Sequence, residues 1–340
     1  MNKQFYRKLS PRGLIAAAAI GIMSALPAAA QQTARLSYHW GPQHPSAVFA
    51  NRFAELVGER SGGELTIQVF PSGQLFGIRD VLGGVSSGAV EIGAAVGVVS
   101  FPPLDRNYNV TNLPGVFASY DQIRGFFDET EAGRAVMDNI RSAAGIEIIG
   151  FNPVGPSALF TTRENINGIE DFEGVSARVL ANAERPRWEA LGAGRMVSLP
   201  TGEVYTALQN GMIDTVATVP GAIKAYSWWD FLTTAQLPYF QFNDAYFIAN
   251  KAWLDSLTPE LRLIVLDVAA EISAESTAAI MAESDNVLEE FAARGGTVVT
   301  FEGEALEELS AMERNEVLPA MLGEVDQEVV DAALAYTGNN

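Results

Sequence analysis

The chain has 340 residues, 22 Lys and Arg against 41 Asp and Glu for a formal net charge of −19, and no cysteine. Without thiols it can have no structural disulfides, no cysteine nucleophile and no thiolate zinc site, so the fold must rest on its apolar core. So acidic a chain repels nucleic acid and anionic lipid, and an anionic ligand would need a local positive site.

Lys3, Arg7, Lys8 and Arg12 open the chain, Gly13 to Leu26 form an apolar run, and Ala28-Ala29-Ala30 offer a small-residue cleavage site before Gln31. That order predicts a secretory signal peptide over residues 1–30. A membrane anchor is the other reading, but about fourteen apolar residues fall short of the roughly twenty a bilayer needs. Cleavage would remove four cations and no acids, leaving about 310 residues at a formal charge of −23. That length predicts two domains.

Leu36 to Trp40 is strand-like and ends at Gly41-Pro42. A helix follows, with Ser46 as candidate cap and Phe49, Phe53, Leu56 and Val57 on one apolar face. Leu65 to Val69 alternates as a half-buried strand does. Further strands are expected at Glu91 to Val99, Ile146 to Phe151, Val175 to Leu180 and Thr215 to Val219, with helical stretches between them. Strands separated by helices predict parallel sheets with right-handed crossovers.

Near the C-terminus, Thr258-Pro259-Glu260 supplies an N-cap, a proline at the first helical position and a first-turn acid. Apolar residues then recur at helical spacing until Gly295-Gly296. A helix of some 36 residues is about 54 Å long, so it must cross two domains or leave one.

Gly84-Val-Ser86-Ser-Gly88 matches a nucleophile elbow, the basis of an alternative reading as a secreted hydrolase. No histidine follows His44 to serve as its base, and small residues for close helix packing explain the stretch as well. His44, before Pro45, reads as a loop residue. His39, near the end of the first strand, is a pocket candidate because ligands lie outside the carboxyl ends of strands in open sheets. Neither histidine has an acidic partner at a metal-ligand spacing, and no metal or other cofactor is expected.

Four segments together, Val69-Phe-Pro-Ser-Gly-Gln-Leu75, Asp171-Phe-Glu-Gly-Val-Ser-Ala-Arg178-Val, Glu203-Val-Tyr-Thr-Ala-Leu-Gln-Asn-Gly211-Met-Ile-Asp214 and Leu257-Thr-Pro-Glu-Leu261, span most of the mature chain. They resemble the DctP-type solute receptors of tripartite ATP-independent periplasmic (TRAP) transporters. The resemblance implies a periplasmic protein with an α/β, two-lobed periplasmic binding protein fold and a long C-terminal helix spanning both lobes. It places lobe I at 31–154 and 244–275 and lobe II at 155–243 and 276–340, with crossovers near 154 and 243. It implies a small organic carboxylate as ligand and the small and large integral membrane subunits of a transporter as partners. Genes for such subunits beside this one would separate a transport receptor from one that feeds a signalling partner.

By the same resemblance Arg178 binds the ligand carboxylate. The local sequence alone also admits a strand arginine paired with one of the many acids; a permanently charged planar fork is nevertheless well made for a carboxylate. Departures from the family pattern fall at Ala158, where receptors for sugar acids carry a second arginine, at Val96 in place of an acid, and at Thr218 in place of an asparagine. Trp228 and Trp229 offer aromatic wall or core packing, Asn243 offers wall or hinge, and Asp230 lacks a partner set for a metal. The expected ligand is thus a monocarboxylate with an aromatic, branched or short aliphatic body, in preference to a sialic or uronic acid.

Overall fold

The computed structural model describes residues 31–338. The basic and apolar segment 1–30 lies outside the described residues. Eleven strands run in chain order: β1 (Gln32–Ser37), β2 (Leu65–Phe70), β3 (Ile92–Val96), β4 (Ile146–Phe151), β5 (Gly155–Thr161), β6 (Ser176–Val179), β7 (Arg195–Ser198), β8 (Thr215–Thr218), β9 (Thr234–Asn243), β10 (Ala245–Asn250) and β11 (Thr297–Thr300). They form a five-stranded sheet in the order β2-β1-β3-β10-β4 and a six-stranded sheet in the order β11-β9-β5-β8-β6-β7.

The sheets are mixed, which corrects the expectation of parallel ones. β1 lies parallel to β2 and β3, and β6 parallel to β7 and β8. However, β10 is antiparallel to both β3 and β4, and β5 is antiparallel to both β8 and β9. The reason is connectivity, since only parallel neighbours need a helical crossover. The chain steps from β4 to β5 through Asn152-Pro153-Val154 alone, and from β9 to β10 through Asp244 alone, each time passing directly from one sheet to the other.

The first helix, Pro45–Arg60, is capped by His44 and not by Ser46. Proline has no N–H to satisfy and suits the first helical position, so the helix begins at Pro45 and the cap lies two residues before Ser46. The His44 ring Nδ1 accepts the N–H of Ser46 at 3.2 Å, while Ser46 Oγ donates to the Pro153 carbonyl at 3.1 Å. The helix start is thereby tied to the β4–β5 crossing.

Pro259–Ala293 is one helix of 35 residues, begun by Thr258 Oγ1 accepting the Leu261 N–H at 3.2 Å and ended at Gly295, where φ is +99°. Its first part packs on β4 and the Pro45–Arg60 helix, with Ser273 Oγ taking the Phe151 N–H at 2.8 Å and Arg52 paired to Glu275. Its later part packs on β5, β11 and the short helix Pro220–Ala225, where Lys224 pairs with Glu290. The protein therefore has the two-lobed α/β fold with one long helix serving both lobes. Among the described residues no helix is long and apolar enough to cross a membrane.

Asp244, the single residue between β9 and β10, is fully buried. Its Oδ2 accepts from Tyr108 Oη at 2.6 Å and Tyr246 Oη at 3.3 Å, and its Oδ1 has no partner. Burial pushes its pKa up to about 6 against the hydrogen bonds that favour the anion. With the folded value above the unfolded one, the group's contribution to stability is greatest in acid and is lost as pH rises through about 6. Asp244→Asn should accordingly gain melting temperature over the wild type at pH 7.5, and that gain should shrink as pH falls below about 6 and vanish only near the ordinary aspartate value of 3.8. A constant difference between the two proteins across that range would refute this placement of the charge.

Candidate functional site

β6 carries Arg178. Ala177 and Val179 pack into the core on one face of the strand, and alternation sends Arg178 to the other. The guanidinium is only 2 % exposed. Its Nε donates to the Leu199 carbonyl at 3.2 Å and its Nη2 to Thr201 Oγ1 at 3.4 Å, both in the turn that follows β7. Among the described residues no carboxylate oxygen lies within 4.0 Å of it. Burial depresses its pKa, Glu184 acting in the opposite direction. A cation removed from water with no carboxylate in direct contact is costly. Glu184 acts on it only across the cavity.

Arg178 opens on a narrow cavity between the two sheets, with about 60 Å³ of room for water centres. The five-stranded side contributes His39, Trp40, His44 and Val96, the six-stranded side Ser157, Glu184, Thr218, Tyr226 and Trp228, and the ribbon between them Gln241 and Asn243. Two contacts join the sides. Tyr226 Oη donates to the His39 carbonyl at 3.1 Å and accepts the Gly41 N–H at 3.3 Å. Arg79 donates to the Leu180 carbonyl at 3.2 Å and to Ser198 Oγ at 3.1 Å.

Three lining residues hold a buried polar atom without a protein partner: His39 Nδ1, Trp40 Nε1 and Trp228 Nε1. An indole N–H can only donate, so two of these three suit an acceptor such as a carboxylate oxygen. Burial pulls the pKa of both His39 and His44 down to about 3, with His44 and Arg178 adding to the effect at His39. Both rings are neutral at pH 7. Because His44 Nδ1 accepts a hydrogen bond, its proton sits on Nε2. Arg178 and Glu184 are then the two lining groups that can carry formal charge at neutral pH.

Of the residues singled out in the sequence, Arg178, His39, Thr218, Trp228 and Asn243 all line this cavity. Trp229 does not: Arg294 stacks over its ring with the guanidinium carbon 4.0 Å from the centroid. Adjacent residues of a 3-10 turn diverge, and only Trp228 turns inward, stacked on Tyr226 at 5.4 Å. Ala158 is likewise core, and its neighbour Ser157 takes the lining position, receiving Asn243 Nδ2 at 2.7 Å. The lining position on this stretch of β5 thus belongs to a serine, one residue before Ala158. Val96 and Thr218 do line the cavity.

His44 lies in the loop before Pro45, as expected, and there it also caps the helix and lines the cavity. Trp40, Tyr226, Glu184 and Gln241 escaped the sequence reading of the site. The first two sit in segments read as strand and aromatic cluster, and nothing local distinguishes the others from surface residues. Ser86, the elbow candidate, lies off the cavity and donates to the Ala144 carbonyl at 2.6 Å.

Comparison with known proteins agrees with this geometry. The family of bacterial extracellular solute-binding proteins, family 7 (DctP), matches residues 36–319. The C4-dicarboxylate-binding periplasmic protein DctP of Rhodobacter capsulatus is 25% identical over 287 residues, covering 84% of this chain and 85% of its own. The ectoine-binding periplasmic protein TeaA of Halomonas elongata is 26% identical over 314 residues, 88% and 90% of the two chains. A Bordetella pertussis extracytoplasmic solute receptor binding pyroglutamic acid superposes with a TM-score of 0.81 at 20% identity, over 90% of this chain and 99% of that one. The chain belongs to the DctP family of bacterial extracellular solute-binding proteins, the receptors of TRAP-type transport.

Proposed function

We propose that the protein captures one small organic carboxylate between its lobes and delivers it to the small and large integral membrane subunits of a TRAP transporter. The observation that carries this reading is the buried Arg178, with no carboxylate in direct contact, on a cavity furnished with unpartnered N–H donors. A ligand carboxylate supplies the missing charge, and enclosure strengthens the pairing by lowering the local dielectric. No bond needs to be made or broken. Residues 1–30 serve export and are removed, and lobe I takes 31–154 and 244–275 with lobe II taking 155–243 and 276–340. Closure then occurs about the crossings at 152–154 and 244.

For the ligand body we propose a compact apolar or short aliphatic group, in keeping with the small cavity and with Trp40, Trp228 and Tyr226 on its wall. Relatives named for C4-dicarboxylate and ectoine, and a structural neighbour named for pyroglutamic acid, bracket that size. A thermal-shift screen over organic acids tests the reading, since a ligand at 100 times its dissociation constant adds about 2.7 kcal/mol to native stability. Hits should also change tryptophan emission in the wild type and in Trp229→Phe, with the change reduced in Trp228→Phe and in Trp40→Phe and lost when both are replaced. Sugar acids binding tightly while compact monocarboxylates fail at millimolar concentration would overturn the ligand class.

A further inference from the structure

The carboxylate reading makes no use of Glu184, which nevertheless lines the same cavity as Arg178. Its Oε2 accepts the Leu180 N–H at 2.9 Å, holding the carboxyl at the wall where the chain leaves β6. It is close enough to Arg178 for each to influence the other's ionisation, yet the two are not joined as an ion pair within 4.0 Å. Other ionisable groups nearby do not neutralise it. His39 and His44 are uncharged, Tyr226 is held as a phenol by burial, Arg187 is paired with Glu313, and Arg79 is engaged with Leu180 and Ser198.

A ligand entering this space therefore meets one cation and one carboxyl group. Its first carboxylate satisfies Arg178. A second carboxylate on a body small enough to fit would have no further lining cation to receive it and would be enclosed with Glu184, where like charges repel strongly. A methyl, hydroxyl or N–H in the same place meets no such penalty, and the last two could donate to Glu184. We propose that Glu184 is a specificity-determining residue that excludes a second carboxylate, so that the receptor accepts ligands with a single carboxylate and rejects C4-dicarboxylates. The proposal rests on the carboxylate-receptor reading and adds a charge rule to it.

The test compares probes that exchange one carboxylate for a methyl: butyrate against succinate and 2-hydroxybutyrate against malate, titrated calorimetrically into the full mature protein. Glu184→Gln is the variant of choice, because its amide oxygen can still accept the Leu180 N–H and keep the turn. At pH 7.5 the wild type should favour each monocarboxylate by on the order of tenfold or more, and the variant should lose most of that preference by gaining dicarboxylate affinity. Burial raises the Glu184 pKa. Lowering the pH toward 5 should therefore relax the discrimination in the wild type more than in the variant, the ligands' own ionisation being common to both. A merely structural Glu184 would move neither the ratio nor its pH dependence, and that result overturns the proposal. Succinate bound by the wild type as tightly as butyrate, with binding lost in Arg178→Ala, would remove the charge rule and leave the carboxylate reading intact. No binding of any carboxylate to the wild type would remove both.

Discussion

Arg178→Met is expected to weaken carboxylate binding by at least roughly 1.5–3 kcal/mol, the worth of hydrogen bonds to a charged group, while leaving the ligand-free protein as stable as the wild type or more so. The two halves of this result have one cause. The guanidinium is buried with two neutral hydrogen-bond partners and no carboxylate in direct contact, so in the empty receptor it is a cost that Glu184 across the cavity offsets only in part. Methionine fills similar volume without charge, and replacing buried charge by apolar volume is often neutral or stabilising. Calorimetry and thermal melts on the same samples check both halves. Equal affinity for wild type and variant would remove Arg178 from the site, and a large loss of ligand-free stability would mean the arginine serves the fold instead.

Gly97→Ala is expected to destabilise the protein by about 2–3 kcal/mol, the scale of overpacking in a filled core. A methyl group at Gly97 would fall well inside contact distance of the Tyr108 hydroxyl and of Asp244 Oδ1. Both are buried around the crossing between β9 and β10 and neither is the free end of a flexible side chain. Urea denaturation measures the loss. In Tyr108→Phe, which removes the hydroxyl, the same alanine should cost less, because the two substitutions share a contact and are not additive. A Gly97→Ala variant within about 0.5 kcal/mol of wild type would show that the cluster is loosely packed.

The long helix was legible because three local signals agreed: the Thr258 cap, Pro259 in the first turn, and apolar residues at helical spacing up to a glycine stop. The strand around Arg178 was legible as a strand, but its role came only from resemblance over distant segments. The ribbon β9–β10 went unread. Its partners are fixed by strands far away in sequence, Pro238 interrupts its pattern, and no helix marks where it changes sheet. Site residues failed where the outcome hinges on which way one side chain turns. Ser157 and Ala158 are adjacent, the β5–β9 pairing shifts register just there, and a slip of one residue exchanges core for cavity. Trp228 and Trp229 differ in the same way, and the part His44 takes in the cavity has no local signal beyond its place before Pro45.

The ribbon also dictates the order in which the molecule can assemble. As the chain is made from its N-terminus, β3 and β4 exist long before β10, the strand that lies between them. β5 likewise waits for β9 on one edge. Until residue 250 has emerged, both sheets present unpaired strand edges, the kind of surface through which nascent chains aggregate. Neither half of the molecule can be completed from the first 233 residues, so premature termination or proteolytic nicking before the ribbon would yield two unfinished sheets and no surviving lobe.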